Sequence, residues 1–109
     1  ADKVWTLVSY GPADAPIPAV EGAPVTAIFT QQGISGSAGC NTYSGPFSYN
    51  ENMIAFGALI STLIACEPPE VTTQEADYLA ALPAASTFTI TDGTLQIFYD
   101  GNVLTFTAS

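Results

Sequence analysis

The sequence predicts an α+β domain that is mostly antiparallel β: a curled sheet or partial barrel of seven to eight strands with one packed helix. Three observations carry this expectation. Short runs rich in threonine, valine, isoleucine and aromatics recur along the chain, separated by glycine, proline, aspartate and asparagine. Two aspartate-glycine pairs, Asp92-Gly93 and Asp100-Gly101, separate three alternating segments near the end, the pattern of tight hairpins that need positive φ. One segment alone, after Thr72, has helical periodicity.

Taken in order, "KVWTLVSYG" is a first strand closed by Gly11-Pro12, and "GPADAPIPAVEGAP" (11–24), with four of the eight prolines, is a surface loop. "VTAIFT" is a second strand, turned by "QQG" into "ISGSAG", where the glycines predict a bulge or a close backbone approach. "TYSGPFSY" resumes extended structure, with Pro46 favouring an edge or a bulge; "NEN" turns it into the strand "MIAFG". Thr72 followed by Glu75 reads as a capping box that starts the helix near Thr72. Val71, Glu75, Tyr78, Leu79 and Leu82 form its mostly apolar stripe, and Pro83 stops it. "STFTIT", "TLQIFY" and "VLTFT" then form a meander. With 109 residues and no internal repeat, residues 1–109 read as one domain.

Composition removes several classes of function. Ten carboxylates face one lysine, there is no histidine, and the net charge is −9. Neutralising nucleic-acid phosphates needs Lys and Arg, and adhesion to anionic lipid needs them too, so neither is expected as a partner. A surface carried by thirteen threonines rather than by mixed charge suits an extracytoplasmic protein. The first residues, "ADKVW", show no signal-peptide pattern. The longest apolar run, "MIAFGALISTLIAC", is interrupted by Gly57 and Ser61-Thr62 and is too short for a span. A monomer is expected.

No catalytic constellation is expected, and no cofactor or metal. Without histidine, Ser-His-Asp chemistry is out of reach. Cys40 and Cys66 are too few for zinc, lack a CxxC spacing, and have no evident base to activate them. They read either as a structural disulfide, which export favours, or as two buried thiols. Asn50-Glu51-Asn52 and Asp100-Gly101-Asn102 offer oxygen donors for calcium, but hairpin turns explain them more simply. Glu67 and Glu70 flank Pro-Pro before the helix, where negative charge suits the helix dipole better than acid–base work. Trp5, Tyr10, Tyr43, Phe47 and Tyr49 are candidates for an aromatic ligand platform, although core packing is the plainer use.

"WTL" near the start, "GCNTYSGPF" at 39–47, "STLIAC" at 61–66, "EADYLAAL" at 75–82 and "GNVLTF" at the end resemble the META domain family, whose bacterial members include HslJ-like heat-inducible lipoproteins. The resemblance runs from Trp5 to Phe106. It implies a small, mostly β domain of envelope or secreted proteins, with no established enzymatic activity and with links to heat response, novobiocin resistance, and secretion or virulence. Its motif positions fall on Gly39, Cys40, Asn41, Tyr43, Gly45, Thr62 and Cys66, as fold determinants. Leu63 and Ile64 stand where members often carry a basic residue and a methionine. With the resemblance in hand, the segment around Cys40 reads as a clasp closed on Cys66. The expected function is a non-catalytic interaction or stress-related module with an unidentified protein or small-molecule partner. The alternatives are a purely structural domain and a thiol-dependent redox protein.

Overall fold

The computed structural model describes residues 4–62, 64 and 69–108. The described residues form eleven strands and one α-helix. The strands are β1 (Trp5–Pro12), β2 (Ile17–Pro18), β3 (Thr26–Thr30), β4 (Gly33–Ser37), β5 (Thr42–Gly45), β6 (Phe47–Asn50), β7 (Met53–Phe56) and β8 (Ile60–Ser61). Helix α1 (Pro69–Ala81) and a 3-10 turn (Leu82–Ala84) follow, then β9 (Ala85–Thr91), β10 (Thr94–Tyr99) and β11 (Asn102–Ala108). Ten strands lie on one path, β6-β7-β9-β10-β11-β1-β3-β4-β5-β8, and β2 pairs with β1 beside it. Every pairing is antiparallel.

The sheet is a curled half-barrel, as expected, but its strand number exceeds the expected seven to eight. Pro46 has no N–H to give a ladder, so "TYSGPFSY" divides there into β5 and β6. β5 pairs with β4 and β6 with β7, so one bent segment reaches both arms of the sheet. The remaining extra strands, β2 and β8, are two residues each. Pairs that short have no period to read, and they exist because a neighbouring strand supplies hydrogen bonds.

The C-terminal meander forms as expected. Asp92 and Gly93 take φ of 52° and 77°, Asp100 and Gly101 φ of 45° and 79°, the left-handed pair that a two-residue hairpin requires. β11 then pairs along β1 from Asn102↔Pro12 to Ala108↔Trp5, with a bulge at Val8. The inward faces bury Leu7, Ile97, Leu104 and Phe106; α1 adds Tyr78 and Ala81 to the same core, and the 3-10 turn adds Leu82.

The helix start differs from expectation. α1 begins at Pro69 rather than near Thr72, so Thr72 lies inside the helix and is exposed. The local pattern satisfies a capping box, but Glu75 is engaged elsewhere, as described below. Proline suits the first turn, where its missing N–H would have had no helical partner. The buried face is Val71, Gln74, Tyr78 and Ala81, so a polar residue occupies a core position that an apolar stripe does not mark.

Candidate functional site

Three of the family-type motif positions, Cys40, Asn41 and Thr62, meet with Glu75 of α1 in one polar hub. Asn41 is buried, with 3% of its surface exposed. Its side-chain oxygen accepts from the Ile64 N–H (2.6 Å) and the Thr62 hydroxyl (2.8 Å). Its amide nitrogen donates to the Ile64 carbonyl (3.1 Å) and to Glu75 Oε2 (2.6 Å). Thus both donors and both lone pairs of the amide are used. Glu75 Oε1 accepts from the backbone N–H groups of Asn41 (2.7 Å) and Cys40 (3.3 Å). A carboxylate receiving three N–H groups makes strong, charge-assisted bonds. Thr62 completes the tie, accepting from the Thr42 N–H while its own N–H donates to the Thr42 carbonyl.

Gln74, fully buried and next to Glu75, makes a second tie from the helix. Its oxygen accepts from Val20 N–H (2.6 Å) and its nitrogen donates to the Ala23 carbonyl (3.3 Å). The proline-rich loop is thereby held against α1. Gly45 packs closely under Leu59: a Cβ there would lie 2.6 Å from Leu59 Cδ2. Cys40 Sγ lies 3.6 Å from the Ile64 carbonyl oxygen, while Cys66 and Glu67 lie outside the described residues.

Beneath the hub, Tyr43 donates its hydroxyl to the Thr26 carbonyl at 2.8 Å. Its proton being so used, the Tyr78 hydroxyl donates to Tyr43. Tyr78 also meets Phe106 edge to face, with centroids 6.2 Å apart. Burial pushes both tyrosines above the ordinary phenol range; the hydrogen bond from Tyr78 tempers the shift at Tyr43, and the neighbouring Tyr43 adds to that at Tyr78. Tyr10 is likewise raised by burial and then by Asp77. Groups whose folded pKa exceeds the unfolded value of 10.0 leave stability unaffected below pH 10 and remove it as pH rises beyond. The urea midpoint is therefore expected to be flat from pH 7 to 9 and to fall above pH 10, less steeply in Tyr78→Phe. An alkaline limb no different in that variant would refute the assignment.

At the opposite end the core is open. Along β1, Tyr10 lies by α1 and Trp5 at the far end; along β10, Tyr99 and Leu95 divide in the same way. A groove of about 300 Å³ opens there. Buried Trp5, Ile54 and Leu95 form its floor; Phe29, Phe47 and Tyr49 make one wall, Phe88 and Ile90 the other. Tyr49 and Phe88 meet in a T-shaped contact, with centroids 6.2 Å apart at 90°. Tyr49 and Ile90 are 67% and 57% exposed. No charged side chain lines the groove.

The expected aromatic platform therefore divides. Trp5, Phe47 and Tyr49 share the groove, while Tyr10 lies by Asp77 and Tyr43 is buried against Tyr78. Phe29, Phe88 and Ile90 were not among the expected members. The alternation of Phe88 and Ile90 on a hairpin strand is a signal that could have found those two, whereas nothing local marks Phe29. Glu51 sits in the β6–β7 turn and Asp100 in the β10–β11 turn, as hairpin positions. Among the described residues no three acidic, histidine or cysteine side chains converge to hold a metal.

A small antiparallel half-barrel, plugged at one end by a helix tied to a Gly-Cys-Asn turn, defines the class of protein. The chain matches the META domain across residues 1–109 and belongs to that family. Its fold is similar to an NMR structure of a protein from Burkholderia xenovorans, 31% identical, with TM-score 0.81 over 99% of this chain and 82% of that one. A second NMR structure, 21% identical with TM-score 0.74, covers 96% of this chain and 87% of its own and shares the fold. Among curated proteins the chain has no match.

Proposed function

We propose that this META domain is a non-catalytic, extracytoplasmic interaction module that holds its partner in the apolar groove at the end of the half-barrel opposite α1. The observation that carries the reading is the groove itself: eight uncharged side chains around about 300 Å³, two of them large and exposed. Concave apolar surface of that size is the ordinary form of a binding site. Chemistry is disfavoured because the chain has no histidine and one lysine, which leaves no imidazole to activate a nucleophile. The net charge of −9 repels nucleic acid and anionic lipid and favours a monomer.

The test is titration of the domain with neutral indole, followed by the methyl signals of Ile54, Ile90 and Leu95. Saturable shifts confined to the groove are expected, and Ile90→Glu should abolish them while leaving the melting temperature within a few degrees. Absence of shifts at millimolar indole would leave a purely structural domain as the better reading.

A Cys40–Cys66 disulfide belongs to the same proposal. It is supported by the 3.6 Å approach of Cys40 Sγ to Ile64 O, two residues before Cys66. Closing that loop restricts the unfolded chain by about 3–4 kcal/mol in the chain-entropy account. Reduction is expected to lower the melting temperature, and prompt labelling of both cysteines in the native protein would defeat the bond.

A further inference from the structure

Resting on the groove reading above, we infer that the occupant is an extended peptide segment that pairs with the free edge of β9, lowers one bulky apolar side chain into the groove, and carries lysine or arginine beside it. Three features converge on this chemistry.

The first is an open sheet edge. β9 runs to Thr91, yet β7 meets it at the single pair Met53↔Thr87, followed by one bond from Phe88 N–H to Asn52 O at 2.8 Å. On its other side β9 is fully paired, Thr89↔Gln96 through Thr91↔Thr94. Among the described residues no strand covers the β7 side of Thr89–Thr91, and all three are exposed. Unpaired strand backbone is a template for an added strand. A small molecule would fill the groove and leave that edge unused; a peptide uses both.

The second is register. Phe88 and Ile90 point into the groove from this same strand. Side chains of an added strand alternate in the same way. One of them is then carried over the cavity, whose volume suits a single large aliphatic or aromatic group.

The third is charge. Both hairpins that wall the groove bear a carboxylate in the turn: Glu51 between Tyr49 and Ile54, Asp92 between Ile90 and Leu95. Both are exposed, and the rest of the chain is also acidic. A basic partner is drawn in and an acidic one repelled, which also disfavours a second copy of this chain.

The experiment compares three blocked pentapeptides, Lys-Leu-Phe-Val-Lys and its versions with glutamine or glutamate in place of both lysines, against the intact domain. Affinity is read from groove methyl shifts and pairing from hydrogen exchange of the Ile90 amide, which faces the free edge as Phe88 N–H faces β7, alongside the indole titration. The lysine peptide is expected to bind about three- to tenfold tighter than the glutamine one, the scale of one or two exposed charge pairs, and the glutamate peptide most weakly. The Glu51→Gln/Asp92→Asn variant should erase that ranking, and bound peptide should slow exchange at the Ile90 amide. Equal binding of all three peptides, or binding of indole alone, would overturn the inference and leave the groove reading standing. Silence to indole and to every peptide would overturn both.

Discussion

Asn41→Ala is expected to destabilise the domain by about 3 kcal/mol or more. The side chain makes four hydrogen bonds, to Thr62, twice to Ile64 and to Glu75. A neutral bond contributes about 1 kcal/mol and one to a carboxylate about 1.5–3. Thr62 and Ile64 are exposed enough to recover water, which trims the sum. Glu75, half-buried and still holding the Cys40 and Asn41 backbone, recovers less. Asn41→Asp tests the geometry differently. It keeps the shape but removes both donors and sets a second carboxylate against Glu75 Oε2, now 2.6 Å from the amide nitrogen. At neutral pH it should be at least as damaging as alanine. Urea denaturation of the three proteins decides the matter. A loss below 1 kcal/mol for either variant would mean that the hub is ornamental and that the Gly-Cys-Asn turn is held by something else.

The hub also shows why parts of this fold were legible in the sequence and parts were not. The meander was plain because Asp-Gly is a local signal: the turn's φ values and the residues that tolerate them lie at one place. The end of the helix was plain for the same reason, at Pro83. Its start was misread because the Thr72-x-x-Glu75 pattern is locally sound, while the carboxylate is used 34 residues away, at Asn41. Gln74 escaped because a buried amide breaks an apolar stripe, and its partners lie on a loop more than fifty residues earlier. Asn41, Tyr43 and Thr62 were found as motif positions, through the family resemblance, before any geometry explained them. Their bonds to Ile64, Thr26 and Thr42 do so. The groove was half visible. Three of five expected aromatics line it, but an open end of a barrel is a property of closure, and β6 and β9 are brought together only by the intervening β7.

Gly36→Ala is expected to cost more than 3 kcal/mol, through a mechanism independent of the hub. Gly36 lies in β4 opposite Tyr43 of β5, where the sheet passes close to β3. A Cβ at this position would lie 2.2 Å from the Thr26 carbonyl oxygen and 2.8 Å from its carbon. Both atoms are backbone, so no side chain can swing aside, and the strands must separate. Separation also removes two bonds that converge on Thr26: Ser37 N–H to its hydroxyl at 3.0 Å, and the Tyr43 hydroxyl to its carbonyl at 2.8 Å. The Tyr43–Tyr78 pair would then lose its acceptor inside the core, which adds an unsatisfied buried group to the steric strain. Gly22→Ala is the proper control. Gly22 also has positive φ, +80°, but open space around it, so it reports backbone strain alone, about 1 kcal/mol. Thermal and urea unfolding of both variants should show a gap of at least 2 kcal/mol between them. If the two glycines prove equally tolerant, β3 and β4 can part without loss, and the close approach at Thr26 does not stabilise the barrel.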